Sequence, residues 1–305
     1  MTVAPIILFT YQRPEHTRLT LEALSANHLA SESDLIVYSD APANDLALSG
    51  VNETRALLAD IQGFKSVRVI EQEVNQGLSN SIIQGVTQVL LENDSVIVLE
   101  DDLITSPYFL KFMNEGLMKY SERPEVATIQ GYSFPTGDDP RDNYFLRFFA
   151  SWGWATWKDQ WQGFNADGAE LLDRLKRTGQ HHDFDFAGAF PFTRMLTDQV
   201  SGKIDSWAIR WYASTYLAHK LSLYPRYSLL NTIGLDDSGV NCTVEDLFFS
   251  TEVYQSELPV SVVEPVENIE MREATARYFK RSLPGFGQRV MSKLRRLFVG
   301  AFPGD

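Results

Sequence analysis

Two periods of apolar residues alternate along the first 125 positions. Val3 to Thr10 is a β-rich apolar run, broken by Tyr11-Gln12-Arg13-Pro14, and Glu15 to Ala26 then carries Leu19, Leu21 and Leu24 at helical spacing. The cycle repeats. Asp34 to Asp40 (Leu35, Ile36, Val37, Tyr38) predicts a second strand, 51–61 a helix, and 66–71 a third strand. The polar turn Asn75-Gln76-Gly77-Leu78-Ser79-Asn80 opens a helix whose buried positions are Ile82, Ile83, Val86, Val89 and Leu90. A fourth run, Ser95-Val96-Ile97-Val98-Leu99, ends in Glu100-Asp101-Asp102, and Ser106-Pro107 signals a further helix carrying Phe109, Leu110, Phe112 and Met113. Strands alternating with helices predict an α/β fold, with a mostly parallel sheet and helices on both faces.

After Tyr120 the alternation fades. A strand is predicted over 126–132, a polar loop over 135–142, and an aromatic-crowded stretch over 144–157 (Phe145, Phe148, Phe149, Trp152, Trp154, Trp157). Helical patterns follow at 169–177 and 205–220, an extended segment at 221–230 and a loop at 234–242. This reads as one domain over 1–265, with a ligand-binding half over 1–125 and an aromatic-rich half over 126–265, and then a basic segment over 266–305. Within that last segment, Val290, Leu294, Leu297 and Phe298 recur at helical spacing beside Arg289, Lys293 and Arg296. An amphipathic basic helix of this kind suits an anionic membrane surface, and it equally suits a solvated terminal helix packed on the body.

Charge and composition narrow the function class. A net charge of −13 argues against nucleic acid as the main partner. Cys242 is the single cysteine, which excludes a disulfide framework and fits a reducing compartment. The first residues carry no basic n-region and no run is long enough for a membrane span, so the expectation is a cytoplasmic protein, peripheral at most on the inner face of the membrane.

The chemistry concentrates at predicted strand ends, the edge where open α/β sheets bind ligands. Three consecutive carboxylates are costly without a positive partner. If the backbone stays extended, Glu100 and Asp102 share one side of the strand and Asp101 takes the other. Two such acids suit Mg²⁺ or Mn²⁺, with phosphate oxygens and water completing the shell. The plain alternative is an acidic turn facing water. Tyr11 can stack on a base, Arg13 can bond a carbonyl or phosphate, and Asp40 can accept from a base N–H. Together with Thr10 they outline a nucleotide-sized crevice. Asn75, Gln76, Gly77 and Asn80 form a phosphate or sugar turn at a helix N-terminus, although a single glycine makes neither a dinucleotide fingerprint nor a P-loop.

Asp205 is a candidate general base for an acceptor hydroxyl, and as an Asp opening a helix it is equally a candidate N-cap. Trp152, Trp154 and Trp157 are candidates for stacking on sugars or for core. His181-His182-Asp183 sits in a polar setting that gives little support to a metal site. Asp236, Asp237 and Asn241 lie in a Gly-flanked loop that suits either a cover for the crevice or a surface turn. No Gly-x-Ser-x-Gly elbow is present.

Ile-Leu-Phe-Thr-Tyr-Gln-Arg-Pro at the first strand, Asn75-Gln76-Gly77-Leu78, Val98-Leu99-Glu100-Asp101-Asp102 and Ser151-Trp152-Gly153-Trp154-Ala155-Thr156-Trp157 together resemble GT-A fold glycosyltransferases. More narrowly, they resemble bacterial sugar transferases related to N-acetylglucosaminyltransferase I. The resemblance spans about Ile6 to Cys242. It implies a nucleotide-sugar donor, with a UDP-sugar favoured, and Mn²⁺ or Mg²⁺ held by Asp102. It also implies ribose and donor-sugar contacts from Glu100 and Asp101, and base contacts from Arg13 and Asp40. Lys203-Ile204-Asp205-Ser206-Trp207 resembles the segment that carries the family's base, which marks Asp205. Trp152, Trp154 and Trp207 would then line the acceptor or sugar pocket. The family's late-loop histidine has no counterpart here, where Asn241 stands.

The implied activity is an inverting, metal-dependent transfer of a hexose or N-acetylhexosamine to a glycan or lipid-linked acceptor in surface polysaccharide assembly. The rival readings are a nucleotidylyltransferase, whose Gly-rich basic loop after strand one is missing here, and a non-catalytic sugar-nucleotide-binding or assembly protein.

Overall fold

The structure is a computed structural model and describes residues 3–236 and 249–282. Among the described residues the strands are β1 (Ile6–Thr10), β2 (Asp34–Ser39), β3 (Ser66–Glu71), β4 (Ser95–Glu100), β5 (Leu103–Thr105), β6 (Val126–Gln130), β7 (Tyr144–Leu146), β8 (Trp154–Trp157), β9 (Leu221–Tyr224) and β10 (Leu230–Thr232). The helices are α1 (Pro14–Ser25), α2 (Leu48–Leu58), α3 (Gly77–Glu92), α4 (Phe109–Lys119), α5 (Lys158–Trp161), α6 (Gly168–Arg177), α7 (His181–Phe184), α8 (Phe192–Val200), α9 (Trp207–Leu217) and α10 (Ile269–Ser282).

Eight strands form one sheet in the order β3-β2-β1-β4-β8-β6-β9-β7, and β5 pairs with β10 in a separate ribbon. The β3-β2-β1-β4 half is all parallel, as the alternating pattern predicts. In the other half β8 and β7 run against their neighbours. β1 lies inside the sheet, between β2 and β4, and is apolar on both faces from Ile6 to Phe9, so Ile6, Ile7 and Leu8 are completely buried.

Register fixes which helix lies on which face. Phe9 and Tyr38 point to α3, where Gly85 lets the helix come close: a Cβ there would meet the Phe9 ring at 2.8 Å. Gly116 of α4 rests on Ile129. Ile129 is in register with Ala155, Ala155 with Ile97, and Ile97 with Ile6, so all four share a face. Side chains alternate along β1, so that face is opposite to Phe9. α3 and α4 therefore cover opposite faces. Phe9 is in register with Glu100, which puts Glu100 on the α3 face.

The second half is an aromatic lobe. Phe148, Phe186, Phe192, Tyr212 and Phe279 meet ring to ring, mostly edge to face. Phe279 belongs to α10, which also buries Met271, Ala274 and Tyr278, and Arg272 of α10 pairs with Asp183 and Glu267. Apolar residues of α10, within the segment expected from 266 onward, thus pack on the lobe. The amphipathic stretch 287–298 lies outside the described residues, as do Asp237, Asn241 and Cys242. Among the described residues no helix is long and apolar enough to cross a membrane.

Two local expectations are corrected. Ser106-Pro107 opens a turn, and α4 starts only at Phe109, because Leu103 to Thr105 first pairs with β10. Trp154 and Trp207 are core, 1% and 3% exposed, and their rings stack on each other at 5.4 Å. Neither has a face left for a sugar. Trp152 is only partly buried, between Tyr132 and Phe249. Replacing Trp154 by Ala should cost about 3–5 kcal/mol of stability, read as a lowered urea midpoint. Trp152→Ala should cost clearly less.

Candidate active site

The carboxyl ends of β1, β2 and β4 lie side by side. Thr10 is in register with Ser39 and Phe9 with Glu100, and the Asp40 amide donates to the Thr10 carbonyl at 3.1 Å. This edge gathers Tyr11, Arg13, Asp40, Glu100, Asp101 and Asp102 from three separate stretches of sequence. Thr10 itself is buried, and its hydroxyl donates to the Tyr38 carbonyl.

β4 ends at Glu100, and Asp101 and Asp102 already lie in a turn. The alternation expected from an extended backbone is therefore lost, and it is Asp101 and Asp102 that converge. A single Arg13 nitrogen, Nη2, bonds both: Oδ1 of Asp101, and Oδ2 of Asp102 at 2.9 Å. Arg13 stands at the N-cap of α1, before Pro14, with its carbonyl accepting from both the amide and the hydroxyl of Thr17. The Thr20 hydroxyl donates to the Asp101 carbonyl at 2.9 Å and accepts from the Leu103 amide at 3.1 Å, which ties the acidic turn to α1.

The electrostatics follow. Burial opposes the charge on Arg13, but the Asp101 and Asp102 carboxylates more than offset it and hold the guanidinium protonated. Burial pushes Asp101 up, with Arg13 and the Tyr11 amide working against that and Asp102 adding to it. Glu100 makes no ion pair with Arg13, whose charge opposes its upward shift only weakly. Burial, then the charges of Asp102 and Asp101, push it up to about 8.

Gly234 closes the far side of this ion pair. β10 pairs with β5, so the chain leaving Thr232 passes directly over the acidic turn, and the Ile233 amide donates to the Asp102 carbonyl at 2.8 Å. A Cβ on Gly234 would lie 2.0 Å from Oδ2 of Asp102 and 2.9 Å from Nη1 of Arg13. Two residues on, Asp236 meets Nε2 of His16 at 3.2 Å. The sequence pattern marks this loop only as Gly-flanked. Its contact with Asp102 depends on the β5–β10 pairing, which spans more than 120 residues of chain.

Asp40 is committed within the protein. Its Oδ1 accepts from the Ala41 and Gln76 amides, and its Oδ2 accepts from the Gly77 amide and the Asn75 side chain. Asn75 also donates to the Ala41 carbonyl at 2.7 Å. Asp40 thus caps the start of α3 from outside the helix, a charge-assisted set of bonds at a helix N-terminus. Asn80 donates to the Gln76 carbonyl from an exposed position, and the Tyr11 hydroxyl accepts from the Ala43 amide at 3.0 Å.

Asp205 sits on the α3 face, just before α9, with its side chain 66% exposed. The N-cap is Ser206, whose hydroxyl accepts from the Ile209 amide, so Asp205 is free of that duty. Its ionic contact is Arg210, at 3.5 Å. Arg210 is largely buried and also donates to the Ser79 hydroxyl in the first turn of α3 at 2.6 Å. Burial lowers the affinity of Arg210 for its proton, with Asp205 opposing. The sequence reading missed Arg210. Its position one turn into the Asp205 helix was the available signal. No hydrogen bond or ion pair among the described residues joins Asp205 to the acidic turn. His181, His182 and Asp183 fall in α7, where Asp183 serves Tyr216 and Arg272.

Among the described residues no three His, Cys, Asp or Glu side chains converge as a metal cage. The arrangement still fits a cation that takes few protein ligands. Asp101 and Asp102 already share one positive nitrogen, so the pair accepts a positive partner between its carboxylates. A cavity of about 670 Å³ lies away from this edge, between 138–145 and 263–271.

No family model matches the chain, and no curated protein matches it. Among solved structures it is similar to the mannosyltransferase PcManGT from Pyrobaculum calidifontis in complex with GDP-Man and Mn²⁺, at 13% identity over 71% of this chain and 74% of that one, with a TM-score of 0.36. It is also similar to the galactosyltransferase LgtC in complex with donor and acceptor sugar analogues, at 10% identity over 72% of each chain and a TM-score of 0.40. S. aureus TarS matches at 17% identity over 45% of this chain and 23% of that one, with a TM-score of 0.29. Likenesses of this depth carry nothing about substrate.

Gly234→Ala should disrupt the Asp102 environment while leaving the sheet intact. The expected result is a lower melting temperature with native far-UV circular dichroism and weakened ligand binding at this edge.

Proposed function

We propose that the chain is a nucleotide-sugar-dependent glycosyltransferase, and that its donor binds at the carboxyl edge of β1, β2 and β4. The observation that carries this reading is the convergence of Tyr11, Arg13, Glu100, Asp101 and Asp102 at one sheet edge beside the Asp40-anchored start of α3. The resemblance of the Glu-Asp-Asp and Trp-Gly-Trp segments to GT-A enzymes supports it. A UDP-sugar is the favoured donor on the same ground, and a glycan or lipid-linked acceptor in surface polysaccharide assembly the favoured acceptor.

In this reading Tyr11 and Arg13 face the base and phosphates. Glu100 and Asp101 serve the ribose and donor sugar, and Asp102 holds a divalent cation, Mn²⁺ or Mg²⁺. Such an ion, when bound, supplies Lewis-acid neutralisation of the diphosphate leaving group. Asp40, Asn75, Gln76 and Gly77 act by fixing the first turn of α3, with Asn80 behind them, because Asp40 spends its acceptors on that turn. Trp152 keeps a place at the sugar pocket through its partly exposed ring, whereas Trp154 and Trp207 support it from the core.

Asp205 takes the acceptor's hydroxyl proton as the oxygen attacks the anomeric carbon. The new carbon–oxygen bond forms as the bond to the diphosphate breaks, which inverts the centre. Arg210 positions Asp205 against α3. The basic terminal segment would keep the enzyme near an anionic membrane surface.

The test is thermal stabilisation by a panel of UDP-, GDP-, CDP- and dTDP-sugars with and without Mn²⁺, followed by turnover with the stabilising donor. Stabilisation by one donor should require Mn²⁺ and vanish in Asp102→Ala. Asp205→Asn should keep donor binding and lose turnover by about 10²–10⁴-fold. Failure of every nucleotide to shift the melting point would sink the reading.

A further inference from the structure

Arg13 lies where a cation shared by Asp101 and Asp102 would lie. Its Nη2 is bonded to both carboxylates, and those two bonds are the hydrogen bonds its side chain makes among the described residues. The trio is enclosed: the side chains of Arg13, Asp101 and Asp102 are 17%, 5% and 11% exposed. On the opposite side the backbone of Gly234 presses on both Asp102 and Arg13.

We infer that Arg13 is the resident counter-ion of the acid pair, and that it makes divalent-cation binding conditional on a diphosphate ligand. The inference rests on the donor site proposed above and adds its order of binding. Charge bookkeeping gives the reason. A cation arriving alone at Asp102 must break the Arg13–Asp102 bond, and it would then stand beside a guanidinium that still holds Asp101, so that two positive groups share the two carboxylates. The excess positive charge would then stay uncompensated in a largely enclosed site, which is strongly unfavourable. A cation arriving with a diphosphate brings the missing anion. Arg13 then turns from Asp102 to a phosphate oxygen, a geometry that guanidinium groups bond well, and Asp102 turns to the cation. Each charge keeps a partner through the exchange.

Arg13 offsets the repulsion between Asp101 and Asp102, and the chain folds around the closed pair. Glu100, on the α3 face, is the one acid of the three that makes no ion pair with Arg13 among the described residues.

The experiment uses Mn²⁺ alone, with no nucleotide, titrated into the full chain and followed by the electron paramagnetic resonance signal of free Mn²⁺. Wild type should bind weakly. Arg13→Gln should gain a site at least about tenfold tighter, since a full positive charge in contact with the acids is gone. The same variant should melt lower than wild type in EDTA and regain that loss on adding Mn²⁺. Arg13→Gln with Asp102→Ala should lose the gained site. The inference is overturned if Arg13→Gln gains no affinity, or if wild type alone binds Mn²⁺ as tightly as the variant. If Arg13→Gln does not fold, wild type against Asp102→Ala decides: submillimolar, Asp102-dependent binding in wild type overturns the inference, and its absence supports it. Because no nucleotide is present, these outcomes are independent of whether any sugar donor binds.

Discussion

The ion pair of Arg13 with Asp101 and Asp102 is the constraint on which the edge of the sheet depends. Three acids in sequence at the end of a buried strand would repel one another and resist burial. One guanidinium, held at the N-cap of α1, offsets part of that cost. It reaches both carboxylates because β1 and β4 are adjacent and in register, so the residues after Thr10 and after Glu100 emerge together. The same closeness lets Thr20 tie the acidic turn to α1. Local sequence, strand order and electrostatics thus support one arrangement.

Around this pair two further tethers shape the crevice. Asp40 anchors the loop from Asn75 to Gly77 and so orients the first turn of α3. The β5–β10 ribbon brings Gly234 down onto Asp102. On the α3 side, Arg210 reaches from α9 to Ser79 and carries Asp205 with it. The aromatic lobe supplies the rigid backing. Trp154 and Trp207 stack inside it, and α10 closes it with Phe279.

The parallel half of the fold was legible because β1, β2 and β4 are short apolar runs, β3 alternates polar and apolar residues, and Gly, Pro or acids punctuate them. Local periodicity suffices there, and the predicted boundaries of the third strand, Ser66–Glu71, match the observed ones. The antiparallel half was less legible. β7, β8 and β10 are three or four residues long, and their pairing is decided by contacts far apart in the chain. Site residues divide in the same way. Glu100, Asp101, Asp102, Asp40 and Arg13 stand out by chemistry at strand ends. That Asp101 and Asp102, rather than Glu100 and Asp102, converge depends on a turn beginning one residue earlier than alternation assumes. Trp154 and Trp207 lie in the core for a physical reason: a ring suited to stacking on sugar is equally suited to stacking on another ring, and sequence does not distinguish the partners. Gly234 and Arg210 act only through tertiary approach.

The most direct measurement is a crystal structure grown with UDP and Mn²⁺ and collected at the manganese absorption edge. The account predicts an anomalous peak at coordination distance from Asp102, UDP lying across the ends of β1, β2 and β4, and Arg13 turned from Asp102 to a phosphate. Nucleotide and manganese bound elsewhere, or bound at this edge with Arg13 still bridging Asp101 and Asp102, would contradict it.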